Sequence, residues 1–274
     1  MKQESTTIVL IHGLWLTPRS WESFRAFYQK SGYRVLAPAW PRIYGEVEDL
    51  RRNPSDLAGL GVIEIADRYE ELIKALNEPP IIMGHSFGGL IVQILLDRGL
   101  GACGVGIDAV PPRGVFRLPF SALKAASRVL SNPANYGRVP PFTFKQFRYA
   151  MANNVSEEQA RMFYDRYAIP GPGRPIFEVA FANLNPRAAT KVNYGNDKRA
   201  PLLLIAGSED HQVPVSMVRE NFKRYARSKA ITEFKEFPGR SHLITIQDGW
   251  QEVAEYALSW AQAKAGGGSL LKAA

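Results

Sequence analysis

Ile81-Ile82-Met83-Gly84-His85-Ser86-Phe87-Gly88-Gly89-Leu90-Ile91-Val92 is the stretch on which the reading of this chain turns. Ile81 to Met83 is a short apolar strand, and a helical pattern runs from Leu90 to Leu96. A chain that passes from strand to helix through G-H-S-F-G-G has to turn sharply. The flanking glycines leave room for that turn and for the helix to pack closely. The serine then stands strained at the end of the strand, with the first amides of the helix pointing at the same place. As five letters, G-x-S-x-G is a weak match, and a glycine-rich turn with an incidental serine is the bland reading. The strand before it and the helix after it give it mechanistic meaning. Ser86 is therefore the candidate nucleophile, and the Phe87 N–H a candidate donor to a developing oxyanion.

Outward from this turn, short β-branched runs alternate with longer helical patterns. Thr7 to Ile11, Arg34 to Pro38, Gly104 to Ala109, Leu202 to Ala206 and Ile231 to Phe237 join Ile81 to Met83 as expected strands. Runs that are apolar on both faces belong in a parallel sheet covered by helices on each side. Val62, Ala66, Tyr69, Leu72, Ile73 and Leu76 mark one helix face, and Trp250, Val253, Ala257 and Ala261 another. The expected fold class is α/β: a doubly wound, mostly or wholly parallel sheet of about six strands.

The alternation breaks between 111 and 199. No convincing strand occurs there, but Thr143 with Gln146 and Ser156 with Gln159 have the spacing of capping boxes. Prolines punctuate the stretch, from Pro111 to Pro186. The expected organisation is a core built from 1–110 and 200–265, a helical cap over 111–199 inserted after the fourth strand, and a flexible tail over 266–274.

Composition narrows the function. With 46% hydrophobic and 22% charged residues in 274, the chain can bury a sizeable core. Its formal charge of +8 raises the question of an acidic partner. The basic residues read as scattered among carboxylates, and the densest group, Lys223, Arg224, Arg227 and Lys229, reads as a solvated helix face rather than a nucleic-acid site. Cys103 is the only cysteine, so no intrachain disulfide forms, and its apolar surroundings point to a buried, inert thiol. No signal-peptide pattern opens the chain, and no apolar run reaches the ~18 residues of a membrane span. The expected location is cytoplasmic. No Cys/His cluster has metal spacing, and neither metal nor organic cofactor is expected.

A serine hydroxyl needs a base, and the base needs an orienting acid. Four histidines are available: His12, His85, His211 and His242. His12 opens His12-Gly13-Leu14-Trp15 directly after the first strand. That tight loop would bring the Leu14 N–H to the same oxyanion, leaving the His12 side chain to bond backbone. His85 adjoins Ser86 on a turn that aims the two side chains apart. His242 lies after the last strand and before the last helix, on the sheet edge where ligands gather. It is the candidate base, and His211 reads as a loop residue. Asp210, in the loop after the Leu202 strand, is the candidate acid, with Glu209 and Asp108 as alternatives.

Together H-G-L-W, G-H-S-F-G-G, G-S-E-D-H-Q-V-P and the late S-H resemble the α/β-hydrolase superfamily over about Thr6 to Lys264. The segment 111–199 matches only as a cap position. The resemblance implies a nucleophile elbow at Ser86 and a Ser86–His242–Asp210 triad, and the D-x-x-V-P form supports Asp210 over Glu209. The first strand starts almost at Met1, so the sheet is expected to lack the antiparallel edge strands that many members carry. The activity implied is cleavage of a small carboxylic ester through an acyl-enzyme on Ser86. The same scaffold also serves cofactor-free perhydrolases, carbon–carbon bond hydrolases, hydroxynitrile lyases and non-catalytic ligand-binding relatives. Trp15, Trp40 and Tyr44 on loops, and Phe147 in the insertion, are candidate pocket residues for a hydrophobic acyl or aryl group. The bland reading of the insertion's aromatics is its own core.

Overall fold

A computed structural model describes residues 6–265; the tail expected over 266–274 lies outside the described residues. Six strands, β1 (Thr7–Ile11), β2 (Arg34–Leu36), β3 (Ile81–His85), β4 (Cys103–Ile107), β5 (Leu202–Gly207) and β6 (Thr232–Phe237), pair in the order β2-β1-β3-β4-β5-β6. Every pairing is parallel. β3 sits inside the sheet, with Ile8 opposite Ile81 on one side and Ile81 opposite Cys103 on the other. The central strands β3, β4 and β5 are buried along their whole length, as their continuous apolar runs require. β6, Thr-Glu-Phe-Lys-Glu-Phe, is half-exposed, and its charges suit an edge.

Strand ends differ from the sequence reading by one or two residues. β2 stops at Leu36, short of Pro38, because proline has no N–H to extend a ladder. β3 runs on through Gly84 and His85, because β4 supplies partners as far as Ile107.

Helices α1 (Glu22–Lys30) and α10 (Trp250–Ala265) pack one face of the sheet, where Phe24, Tyr28, Val253 and Ala257 meet Ile81, Val105 and Ile205. On the other face lie α3 (Val62–Lys74), α4 (Phe87–Asp97) and α9 (Val215–Arg224), with short α2 (Val47–Arg52) beside them. In α4 every residue from Phe87 to Leu96 is buried. A helix apolar all round has to be covered all round. α2 carries a capping box, Glu46 with Asp49, that the usual Ser/Thr pattern does not reveal. The basic group at 223–229 is surface but not one helix face. α9 ends at Arg224, a single 3₁₀ turn spans Tyr225–Arg227, and Lys229 follows outside it.

Between β4 and β5 the chain forms α5 (Phe120–Leu130), α6 (Phe144–Ala150), α7 (Glu157–Tyr167) and α8 (Arg174–Ala180), with no strand among the described residues. Both expected capping boxes close. Thr143 Oγ1 accepts from the Gln146 N–H at 3.4 Å while Gln146 Oε1 accepts from the Thr143 N–H at 2.8 Å. Ser156 and Gln159 make the same exchange. This segment is fastened to the loops at the carboxyl edge of the sheet. The Ile169 N–H donates to Trp15 O at 2.9 Å. Asn153 and Asn154 donate to Glu209 O and Gly239 O, each at 2.9 Å. Arg166 grips the Glu22 carboxylate with two bonds of 2.8 and 2.7 Å.

Candidate active site

Ser86 follows β3 directly and precedes α4, with φ 56° and ψ −119°. A non-glycine residue there costs on the order of 1–3 kcal/mol and holds only if its surroundings enforce it. Backbone bonds do so: the Ser86 N–H donates to Ile107 O at 2.9 Å, and its carbonyl accepts from Gly89, Leu90 and Val110. Trp15 and Asp108, which follow β1 and β4, also have positive φ, at 66° and 44°. Three of the four such residues among those described thus stand after strand ends on the same edge of the sheet.

Close approach explains the glycines. A Cβ on Gly88 would lie 2.1 Å from Ile11 O, so only glycine lets α4 start against β1. A Cβ on Gly13 would lie 2.9 Å from the Ser86 Cβ, so the His12-Gly13-Leu14 loop rests on the serine itself. Neither the Leu14 nor the Phe87 amide donates to another acceptor among the described residues.

His242 is fully buried, and its Nδ1 lies 2.6 Å from Asp210 Oδ2. The other Asp210 oxygen accepts from the N–H groups of Gln212 and Val213 at 2.6 and 2.8 Å. With Nδ1 donating to a carboxylate, His242 carries its lone pair on Nε2, the tautomer a base needs. Nε2 is buried without a hydrogen-bond partner among the described residues. Ser86 Oγ instead accepts from Gln212 Nε2 at 3.4 Å. The structure therefore brings Asp210, after β5, onto His242, after β6, and places the serine at the end of β3, on the far side of β4, with its hydroxyl bonded by Gln212. Hydrogen bonds between a nucleophile and its base are in general often long before substrate binds.

The other histidines are engaged elsewhere. His12 accepts from the Trp40 N–H at Nε2 and donates to Gly13 O, and burial lowers its pKa to about 4. His211 Nδ1 bonds Tyr149 O at 3.1 Å. His85 Nε2 donates to His242 O at 2.8 Å, while burial and then His242 hold its pKa well below the usual histidine range. Of the alternative acids, Glu209 is exposed. Asp108 is buried and accepts from the Gly207 N–H at 2.7 Å rather than from His242. Burial, and next the charge of Asp210, hold the Asp108 carboxyl well above the usual carboxylate range. His85, Asp108 and His242 bring potential ligand atoms within 4.8 Å of one another. The bonds of His85 to His242 O, of His242 to Asp210 and of Asp108 to Gly207 already use part of that donor set.

An apolar pocket of about 170 Å³ opens beside the serine, walled by Trp15, Phe87, Val115, Ile176, Gln212 and Val213. Trp15 stacks on Phe142 with ring centroids 4.2 Å apart. Three expected pocket residues are not part of its lining. Trp40 is buried, its ring stacked on His12 with centroids 4.9 Å apart. Tyr44 is 72% exposed. Phe147 is buried between Phe142 and Tyr164, in the segment's own core. Gln212 is the contact that sequence reasoning missed. Its only signal was its place two residues after Asp210.

A six-stranded parallel sheet with a strained serine between β3 and α4 defines a class, and comparison gives it a name. The chain belongs to the alpha/beta hydrolase family, whose sequence profile matches residues 8–256. No curated protein matches it. Among solved structures it is similar to an extracellular alpha/beta-hydrolase from a Paenibacillus species, described as sharing structural and functional homology with tobacco Salicylic Acid Binding Protein 2. The TM-score is 0.68 at 23% identity, over 93% of this chain and 98% of that one. A Paleococcus ferrophilus monoacylglycerol lipase gives 0.64 at 19% identity, with 96% of each chain covered. Tomato Methylketone Synthase I, solved in complex with 2-tridecanone, gives 0.64 at 18% identity over 95% of this chain and 99% of that one. At these identities the likeness is one of fold. Among the described residues no helix is long and apolar enough to cross a membrane.

Proposed function

We propose that this protein is a serine esterase that cleaves a small carboxylic ester through an acyl-enzyme on Ser86. The observation that carries the reading is the strained Ser86 at the end of β3, together with a buried His242 held through Nδ1 by Asp210 at 2.6 Å; the His242 ring lies 4.6 Å, centroid to centroid, from that of His85, the serine's neighbour in sequence. His242 Nε2 takes the Ser86 proton as Oγ bonds the carbonyl carbon. The oxyanion so formed lies between the Leu14 and Phe87 N–H groups. As the acyl–oxygen bond breaks, His242 returns the proton to the leaving alcohol. Water, deprotonated by the same nitrogen, then releases the acid and restores the Ser86 hydroxyl.

The acyl or aryl group would enter the apolar pocket. Its 170 Å³ compares with the cavity of roughly 150 Å³ that takes a benzene ring elsewhere, so a single ring or a medium acyl chain fits. The residues from 111 to 199 serve in this reading as the cap over a core of 1–110 and 200–265. The likeness of fold to a monoacylglycerol lipase supports ester chemistry.

The test is labelling with a fluorophosphonate probe, followed by p-nitrophenyl esters of increasing chain length. Native protein is expected to label and turn over, and Ser86→Ala to do neither. Native protein that stays unlabelled and inactive would remove the esterase reading. Labelling with peracid formation, or with cleavage of a carbon–carbon substrate in place of esters, would redirect it.

A further inference from the structure

The charge of this chain is unevenly placed. Seven Lys and Arg and not one Asp or Glu lie between Ala109 and Ser156. The whole stretch 111–199 has fourteen basic residues against five acidic, a net of +9 in a chain whose total is +8. The remainder is close to neutral. The reading of basic residues as scattered among carboxylates therefore fails here.

The apolar surface gathers in the same place. Phe116, Leu118, Phe120, Leu123, Phe181 and Leu184 are six of the eleven large apolar side chains exposed among the described residues, with Phe116 at 67%, Phe120 at 77% and Leu184 at 81%. Five of them belong to the segments around one opening, and Phe120 begins the helix that carries Leu123. Phe116, Leu118 and Leu123 line the pocket beside Ser86, and Phe181 and Leu184 flank its lining residues Ala182 and Asn183. The two halves of the rim are joined: Asn183 accepts from the Gly114 N–H at 2.7 Å and donates to Val115 O at 2.6 Å. Along α5 the exposed positions are Phe120, Leu123, Lys124, Ser127 and Arg128, the spacing of one helix face. Arg113 and Arg117 are the charged residues of the pocket lining. Glu220, a carboxylate at this rim, is occupied by the N–H groups of Phe116 and Arg117 and by Arg224.

We propose that this rim docks on an anionic lipid surface, so that the pocket mouth opens onto the membrane. Phe116, Phe120 and Leu184 enter the boundary of the acyl chains, and Lys124 and Arg128 face the headgroup phosphates. Exposed apolar clusters of this size mark an interaction site. Lysine and arginine beside phenylalanine and leucine on one helix face is the composition of a surface-lying helix. A second copy of the chain would cover the apolar groups but would set cation against cation. Binding itself does not depend on the esterase reading; that reading supplies only the reason a lipid surface is useful, as the place where ester substrates collect.

The experiment is co-sedimentation of the whole chain with vesicles of phosphatidylcholine alone and of phosphatidylcholine with an equimolar share of phosphatidylglycerol. Wild type is expected to sediment with the anionic vesicles, poorly with the neutral ones, and less as salt is raised. Lys124→Glu with Arg128→Glu is expected to weaken that binding about tenfold or more, from the worth of a basic residue near such a surface. Phe120→Ser with Leu184→Ser, two exposed side chains outside the pocket lining, is expected to do the same. Both variants should keep wild-type hydrolysis of a soluble short ester. Failure of wild type to bind anionic vesicles overturns the proposal, as does binding that neither pair of substitutions changes. Light scattering that shows a dimer lost in the Phe120/Leu184 variant would assign the rim to self-association instead. Vesicle binding without ester turnover would remove the esterase reading and leave this one standing.

Discussion

Gln212 donates to the hydroxyl that the proposed reaction must ionise, and its Oε1 is buried without a partner among the described residues. While that bond lasts, Ser86 Oγ is engaged by Gln212 and His242 Nε2 has no hydrogen-bond partner among the described residues. A neutral hydrogen bond of this kind is worth about 1 kcal/mol net, which corresponds to roughly fivefold in a rate. Gln212→Leu is therefore expected to react several-fold faster with a small fluorophosphonate, read as the second-order rate constant of labelling. An unchanged or slower rate would mean that Gln212 aids the reaction instead of restraining the resting serine. Asp108 makes a second prediction at this scale. Its pKa is raised in the folded protein, so between its unfolded value and its folded one the native state binds the extra proton. Stability is then lost as pH rises through that window. Asp108→Asn still accepts from the Gly207 N–H and carries no charge. It is expected to melt at a higher temperature than wild type at pH ~8 and to show no such gain at pH ~4. A gain equal at both would contradict the sign argued here.

Helix starts decide how the stretch after β4 is laid out. α6 has seven residues, too few to stand alone, and its start depends on the Thr143–Gln146 exchange. Thr143→Ala is expected to cost about 1 kcal/mol, seen as a lower midpoint in urea with an unchanged slope. Much of this level was legible in the sequence because its signals are local. A capping box needs only a few adjacent residues, and a short apolar run suffices for a buried strand. The strand–Ser86–helix turn was legible for the same reason, and so was the place of His242 and Asp210 in loops after strands; that Asp210, not Asp108 or Glu209, bonds His242 is seen only in the fold. What the sequence hid depends on distant partners. Trp40 reads as a pocket residue until its ring is seen stacked on His12, 28 positions earlier in the chain. Phe147 was ambiguous because an aromatic in a helix faces either a ligand or its own core, and here Phe142 and Tyr164 settle which.

Across the whole molecule, the residues between β4 and β5 lie over the carboxyl edge and are tied to it at separate places. Arg51 reaches the carbonyls of Ala168 and Tyr164, Arg166 holds Glu22, and Asn153 and Asn154 hold the loops that carry Asp210 and His242. The two asparagine bonds are exposed, so each contributes little to global stability. Asn153→Ala with Asn154→Ala is expected to leave the melting temperature within a few degrees of wild type. It should raise the labelling rate of a bulky fluorophosphonate more than that of a small one. Equal acceleration of both probes would show that these contacts do not control entry.

Ser86 and His242 have no exposed surface at all. In the proposed reaction, a centre buried in this way sets its own traffic. Every ester that arrives, every alcohol that departs and every water that follows would pass through the pocket walled by Phe87 and Gln212. The order of those crossings then governs the fate of the acyl group. An alcohol slow to leave competes with incoming water for the carbonyl on Ser86 and regenerates ester. Under that proposal the ratio of transfer to hydrolysis would follow from the side chains at the pocket mouth, which touch no bond that is made or broken.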